Sequence, residues 1–95
     1  MDAEVLDALR PILDPEIGVS IVDLGLVYRA ERSDEIDVAI TLTTRACPLG
    51  EMIVEQARAA LSERYPDVRD IRVDLVWDPP WTPDMMSPEA RRLLG

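Results

Sequence analysis

The single thiol of this 95-residue chain, Cys47, lies in the run Thr43-Thr44-Arg45-Ala46-Cys47-Pro48-Leu49, where an alternating segment gives way to an apolar stripe of helical period. Pro48 suits the first turn of a helix, because its missing N–H would have been unpaired there in any case. A cysteine at that point meets unpaired N–H groups and the positive end of the helix dipole, and Arg45 adds a cation. Together these lower a thiol pKa from about 8.5 toward about 7 or below. The other use of such a residue is as a small buried hydrophobe. Histidine is absent, which removes imidazole bases, His-containing zinc sites and hydrolase triads. Chemistry is left to one thiol, hydroxyls and carboxylates.

Two carboxylates invite comparison with the thiol. Asp23 interrupts the apolar run Ile21-Val22-Asp23-Leu24-Gly25-Leu26-Val27. A carboxylate taken out of water needs donors or a shifted pKa, so Asp23 either caps a turn or approaches a metal or the thiol. Glu16 follows Pro15 and reads most simply as a solvated turn residue; nothing in the 16 to 23 spacing selects paired-carboxylate catalysis. The hydroxyls Thr41 and Thr43 alternate with core residues, as strand residues on a wetter face do. Overall, 19 acids against 10 bases leave a net charge of −9. That field repels phosphate backbones and anionic membrane surfaces and favours a basic protein face as partner.

The elements that must position these groups follow from periodicity. Residues 2–13 carry Val5, Leu6, Leu9, Ile12 and Leu13 at helical spacing behind Asp2 as cap, and Asp14-Pro15-Glu16-Ile17-Gly18 reads as a turn. A strand is expected over 24–32, then a charged hairpin turn over 31–35. Across 36–44 Ile36, Val38, Ile40 and Leu42 alternate with Asp37, Ala39, Thr41 and Thr43, a period that only a strand uses. A helix over 48–64 buries Leu49, Met52, Ile53, Ala57, Ala60 and Leu61 and ends before Pro66. A last strand runs over 70–77. A strand, helix, strand crossover is right-handed and parallel, whereas the hairpin is antiparallel. The expected fold is therefore a single-domain, two-layer α/β sandwich in the order α-β-β-α-β, with helices on one face of a mixed sheet of three to four strands.

Residues 78–95 differ from the 1–77 core. They hold four of the eight prolines and two of the four methionines. No regular structure is expected before Ser87, which caps a short terminal helix with Pro88 at its first position. Trp81, Met85 and Met86 either cover the body or, with Trp77, form an adaptable apolar contact for a partner.

Taken in order, Asp14-Pro15-Glu16, Ile21-Val22-Asp23-Leu24-Gly25-Leu26-Val27, Thr41 to Leu49 and Val76-Trp77-Asp78-Pro79-Pro80-Trp81 resemble the SufT and PaaD-like family of iron-sulfur cluster assembly domains. The resemblance spans nearly the whole chain. It implies a compact α/β domain that acts in cluster maturation, not a turnover enzyme. It also places the family's reactive cysteine on Cys47, its acidic motif residues on Glu16 and Asp23, and Thr43, Thr44 and Arg45 beside them. Assembly proteins and recipient apoproteins are the implied partners, in the cytoplasm; the N-terminal residues also lack the basic and apolar regions of a signal peptide. A cluster generally takes four protein ligands. One cysteine per chain thus implies transient binding, with a symmetric homodimer supplying two Cys47 thiolates, or docking without any cluster. The rival readings are a single-cysteine thiol redox enzyme and a purely structural interaction subunit.

Overall fold

The computed structural model describes residues 1–43 and 50–94. The first helix, α1, spans Ala3–Leu9. Asp2 caps it: its carboxylate accepts from the Val5 N–H at 3.0 Å and from the Arg32 Nε at 3.1 Å. The helix is four residues shorter than periodicity suggests. Pro11 has no N–H to continue it, and Ile12 already belongs to the next structure, where its carbonyl accepts from the Ile21 N–H at 3.0 Å. Leu13, read as apolar and helical, is half exposed in an isolated bridge to Ser20.

Strands β1 (Val27–Arg32) and β2 (Ile36–Ile40) form the expected antiparallel hairpin. After α2 (Gly50–Arg64) the chain returns as β3 (Ile71–Leu75), parallel to β2, and the sheet order is β1-β2-β3. Each strand is shorter than its alternating run. β1 starts at Val27 because residues 21–25 form a turn, with Leu24 N–H bonded to Ser20 O and Leu26 N–H to Ile21 O. Beyond β3 comes a 3-10 turn, Pro83–Met85, in a stretch expected to be irregular. Last is α3 (Pro88–Leu94), whose Ala90 N–H bonds to the Ser87 hydroxyl as the sequence predicts.

One face of the sheet carries the core. Ala30, Ile36, Val38, Ile40 and Val73 join Val5 and Leu9 of α1 and Ile53, Ala57 and Leu61 of α2 in one buried cluster. Met52, assigned to the same stripe, is exposed instead. On the opposite face, cross-strand register sets Arg29 beside Ala39 and Ala39 beside Asp74. The small Ala39 side chain leaves room for Arg29 to reach across β2. It meets Asp37 at 2.9 Å and Asp74 at 3.7 Å, so a single guanidinium ties all three strands. Among the described residues no helix is long and apolar enough to cross a membrane.

Asp2 links acidity to stability. The Val5 N–H, and secondarily Arg32, hold its carboxyl below the ordinary value of 3.8. A depressed folded pKa means the stabilisation is complete above the unfolded value and is lost as pH falls through the folded one. Asp2→Asn should therefore flatten the loss of stability that the native chain shows below about pH 4. Denaturant midpoints measured across that range check it; parallel curves for the two chains would contradict the assignment.

Candidate functional site

A cavity of ≈ 360 Å³ opens at the end of the sheet where β2 and β3 finish, lined by Thr41, Leu42, Thr43, Trp77, Asp78, Pro80 and Trp81. Its back wall is built first. Thr41 is 1% exposed and donates its N–H to the Leu26 carbonyl at 2.8 Å, which extends the β1/β2 pairing past the last strand residue. Thr43, half buried, forms the lip. The other walls come from the chain after β3, where the Asp78–Pro79 peptide is cis. Gly50, the first residue of α2, closes the corner behind: a Cβ there would lie 2.9 Å from Leu75 and 3.1 Å from Leu42. The segment that contains Cys47 thus leaves the described structure at Thr43 and re-enters at Gly50, next to the ends of β2 and β3. Cys47 itself, with Thr44 and Arg45, lies outside the described residues.

The segment 78–87 is a strap laid back across the turn at 23–25. Trp81 donates its indole N–H to the Leu24 carbonyl at 2.7 Å, and the Ser87 N–H bonds to the Asp23 carbonyl at 2.7 Å. The Tyr28 hydroxyl donates to the Pro79 carbonyl at 2.8 Å and lies 3.4 Å from the Met85 sulfur. Burial pushes the Tyr28 phenol above its usual value of 10.0, and the neighbouring Asp78 carboxylate pushes it the same way. Gly25, at φ +76°, lies directly beneath Met85; a Cβ there would collide with the Met85 carbonyl. Positive φ and close approach both demand glycine at this position.

The site residues expected from sequence divide accordingly. Thr43, Trp77 and Trp81 converge on the cavity. Met85 and Met86 lie apart from it: Met85 crosses Gly25, and Met86 packs half-buried against the core. Asp23 lies in the turn, but its carboxylate, expected to cap a turn or to approach a metal or the thiol, pairs with Arg10 at 3.0 Å at the surface. Glu16 is exposed and contributes its backbone N–H to Asp14, 2.9 Å away. Asp14 was read only as a turn residue. It is 5% exposed and its carboxylate accepts from both Glu16 and Ile17 N–H groups. The signal for it was available, since Asp-Pro-x-x-Gly favours such a side-chain turn. Tyr28 and Asp78, which brace the strap, carried no comparable signal. Among the described residues no group of three or more histidine, cysteine, aspartate or glutamate side chains is placed to hold a metal ion.

Comparison with known proteins agrees with this architecture. A family model described as iron-sulfur cluster assembly protein matches residues 2–75. The chain is similar to the Fe-S protein maturation auxiliary factor SufT of Staphylococcus aureus, at 46% identity over 86 residues, covering 88% of this chain and 97% of the relative. It is 43% identical to the Fe-S protein maturation auxiliary factor YitW of Bacillus subtilis, over 96% of this chain and 90% of the relative. Among solved structures, a domain of unknown function, DUF59, from Bacillus anthracis superposes with a TM-score of 0.88 at 38% identity, over 97% of this chain and 89% of that one.

The two positive-φ glycines separate backbone strain from strap contact. Gly18, at φ +79°, has nothing within 4 Å of an added Cβ, whereas Gly25 has Met85. Gly18→Ala should cost about 1–2 kcal/mol, the penalty for a side chain in the left-handed region. Gly25→Ala should cost more and also shift Trp81 fluorescence, because the strap has to lift. Equal losses in the two variants, with unchanged fluorescence, would show that the crossing is loose.

Proposed function

This chain belongs to the iron-sulfur cluster assembly protein family, and on that footing we propose that it is a non-enzymatic adaptor or transient carrier that delivers iron-sulfur clusters to apoproteins through Cys47. The two relatives described above are named maturation auxiliary factors, which supports a helper role rather than turnover. The observation that carries the reading is the position of the flanks. Thr43 and Gly50 border the segment with the chain's one thiol, and they stand beside a cavity whose walls are Trp77, Asp78, Pro80 and Trp81.

In this reading the cluster is cargo. The described residues offer no ligand set of their own, and a cluster needs about four ligands. The remaining ligands therefore come from outside one chain: a small thiol, a second Cys47, an assembly protein or the recipient. Incomplete ligation suits hand-over, because the recipient's thiolates complete the coordination as they take the cluster. Cys47 stands three residues ahead of the 15-residue helix α2, and the dipole of that helix together with Arg45 favours the thiolate that binds iron. The aromatic walls at Trp77 and Trp81 suit an apolar edge of an assembly protein or apoprotein.

Cys47→Ala should leave the thermal midpoint within a few degrees of the native chain and lower the activity of cluster-dependent enzymes in cells under iron limitation. Anaerobic incubation of the purified chain with iron and sulfide should give charge-transfer absorption that Cys47→Ser lacks, or, if the chain acts only by docking, capture of assembly proteins that Cys47→Ser weakens. Full cellular enzyme activity in the substituted strain, together with catalytic peroxide or disulfide turnover by the native protein, would replace this reading with thiol redox catalysis.

A further inference from the structure

The sheet has two edges, and they differ. At β1 the edge is closed: the Asp2 N–H donates to the Ala30 carbonyl at 2.7 Å, Tyr28 is the extra residue between the paired Val27 and Arg29, and its hydroxyl is tied to the strap. At β3, among the described residues, no strand follows in the sheet order. Two bonds fix the parity there. Ile36 N–H bonds to Asp70 O and Val76 N–H to Ile40 O, so the backbone groups of residues 70, 72, 74 and 76 face β2. Those of Ile71, Val73 and Leu75 face away from it. β3 has no proline, and its five-residue register with β2 is unbroken. Bulge and proline, two of the usual protections of an edge, are missing, and the charges it carries, Arg72 and Asp74, are opposite in sign.

Its side chains are symmetric about Val73. Arg72 and Asp74 flank it on the outer face, and Ile71 and Leu75 flank it on the core face. We propose that β3 pairs with β3 of a second copy of this chain, antiparallel about a two-fold axis at Val73, giving one continuous six-stranded sheet. In that register each Arg72 stands opposite the other copy's Asp74, and each Ile71 opposite the other copy's Leu75. Opposite charges directly across an antiparallel pair stabilise it, and like charges do the reverse. Slipping the pairing by two residues in either direction sets Arg72 against Arg72 or Asp74 against Asp74, so the charges select one register. Arg72 forms no ion pair within the described residues, and Asp74 has only the long 3.7 Å contact to Arg29. A chain with net charge −9 repels its own copies, and this is a place where two copies attract.

The pairing also sets how far apart the two copies of Leu75 stand. Gly50 packs on Leu75, and the two copies of Leu75 lie four residues apart along the paired strands, about 13 Å. The two Gly50 residues, each the described end of a segment that carries Cys47, therefore sit toward opposite ends of the interface. The inference stands on strand chemistry alone, and its failure leaves the maturation role untouched.

An interface of five residue pairs is below the standard size class, so dimerisation should be weak, with a dissociation constant of about 10 µM to 1 mM. Sedimentation of the native chain over that range should show a monomer–dimer equilibrium. Amide exchange at Ile71, Val73 and Leu75 should slow with concentration while that of neighbouring loop amides does not. Arg72→Asp and Asp74→Arg each set like charges opposite one another twice and should weaken association about tenfold or more. The double exchange Arg72→Asp/Asp74→Arg restores opposite charges and should recover dimerisation, with melting curves confirming that every variant is folded. A chain that stays monomeric to about 1 mM, or a dimer indifferent to both single reversals, overturns the proposal. So does association without slower exchange at the three amides.

Discussion

Gly25 is the point on which the arrangement turns. Its left-handed backbone ends the 21–25 turn and aims Leu26 and Val27 into the sheet, and its missing side chain lets Met85 cross directly above. The carbonyls of Asp23 and Leu24, left outside any strand by that turn, become the acceptors for Ser87 N–H and the Trp81 indole. One turn thus starts the hairpin and receives the strap, and the strap in turn supplies the aromatic walls of the cavity beside Thr43. Removing this crossing would return the two carbonyls to water and forfeit two hydrogen bonds, each with a net contribution of about 0.5–1.5 kcal/mol. The apolar run around Asp23 therefore exists to serve the C-terminal segment as much as the core.

The two faces of the sheet are held by different physics. On the core face, Leu9, Ile36, Ile40, Ile53 and Leu61 are at most 1% exposed, and each contributes about 1.5–3 kcal/mol of transfer free energy. On the other face, Arg29 links β1 to β2 and β3 through Asp37 and Asp74, groups that are 41% and 49% exposed. Such pairs contribute about 0–1 kcal/mol each. The core makes the domain stable, whereas the outer network specifies which residues face one another across three strands. Ala39 is essential to the second and nearly irrelevant to the first.

Periodicity revealed the elements and their order because hydrophobic spacing is a local property. It placed the hairpin, the crossover helix and the Ser87 cap correctly, and it overestimated every alternating run. Residues 41–43 and Trp77 keep strand spacing but lie past the last strand residues and line a cavity, a distinction that depends on partners distant in sequence. Asp14 was legible as a side-chain turn from Asp-Pro-x-x-Gly. Tyr28 and Asp78 were not, since their value comes from a strap that folds back over some fifty residues of intervening chain. Leu13 and Met52 show the reverse error: correct spacing for a buried stripe, yet exposed, because neither faces a neighbouring element. The resemblance of the whole motif series points to the segment around Cys47, where residue-by-residue chemistry offers only a lone cysteine.

Charge bears on the proposed carrier role. Of the ten arginines, Arg10, Arg29, Arg32, Arg58, Arg91 and Arg92 are each within 4.0 Å of a carboxylate on the same chain, and Arg64 lies over the Tyr65 ring. The positive charge is thus largely spent internally, and the field that reaches solvent is acidic. Asp78 adds a carboxylate to the cavity wall itself. Such an acidic surface attracts iron cations and basic protein faces while repelling small anions and nucleic acid. Under the proposed role, the same charge would hold an anionic thiolate-ligated cluster less firmly than a recipient with a full set of cysteines would. Weak holding and ready encounter would then both follow from one charge distribution, and passing on a cargo requires both.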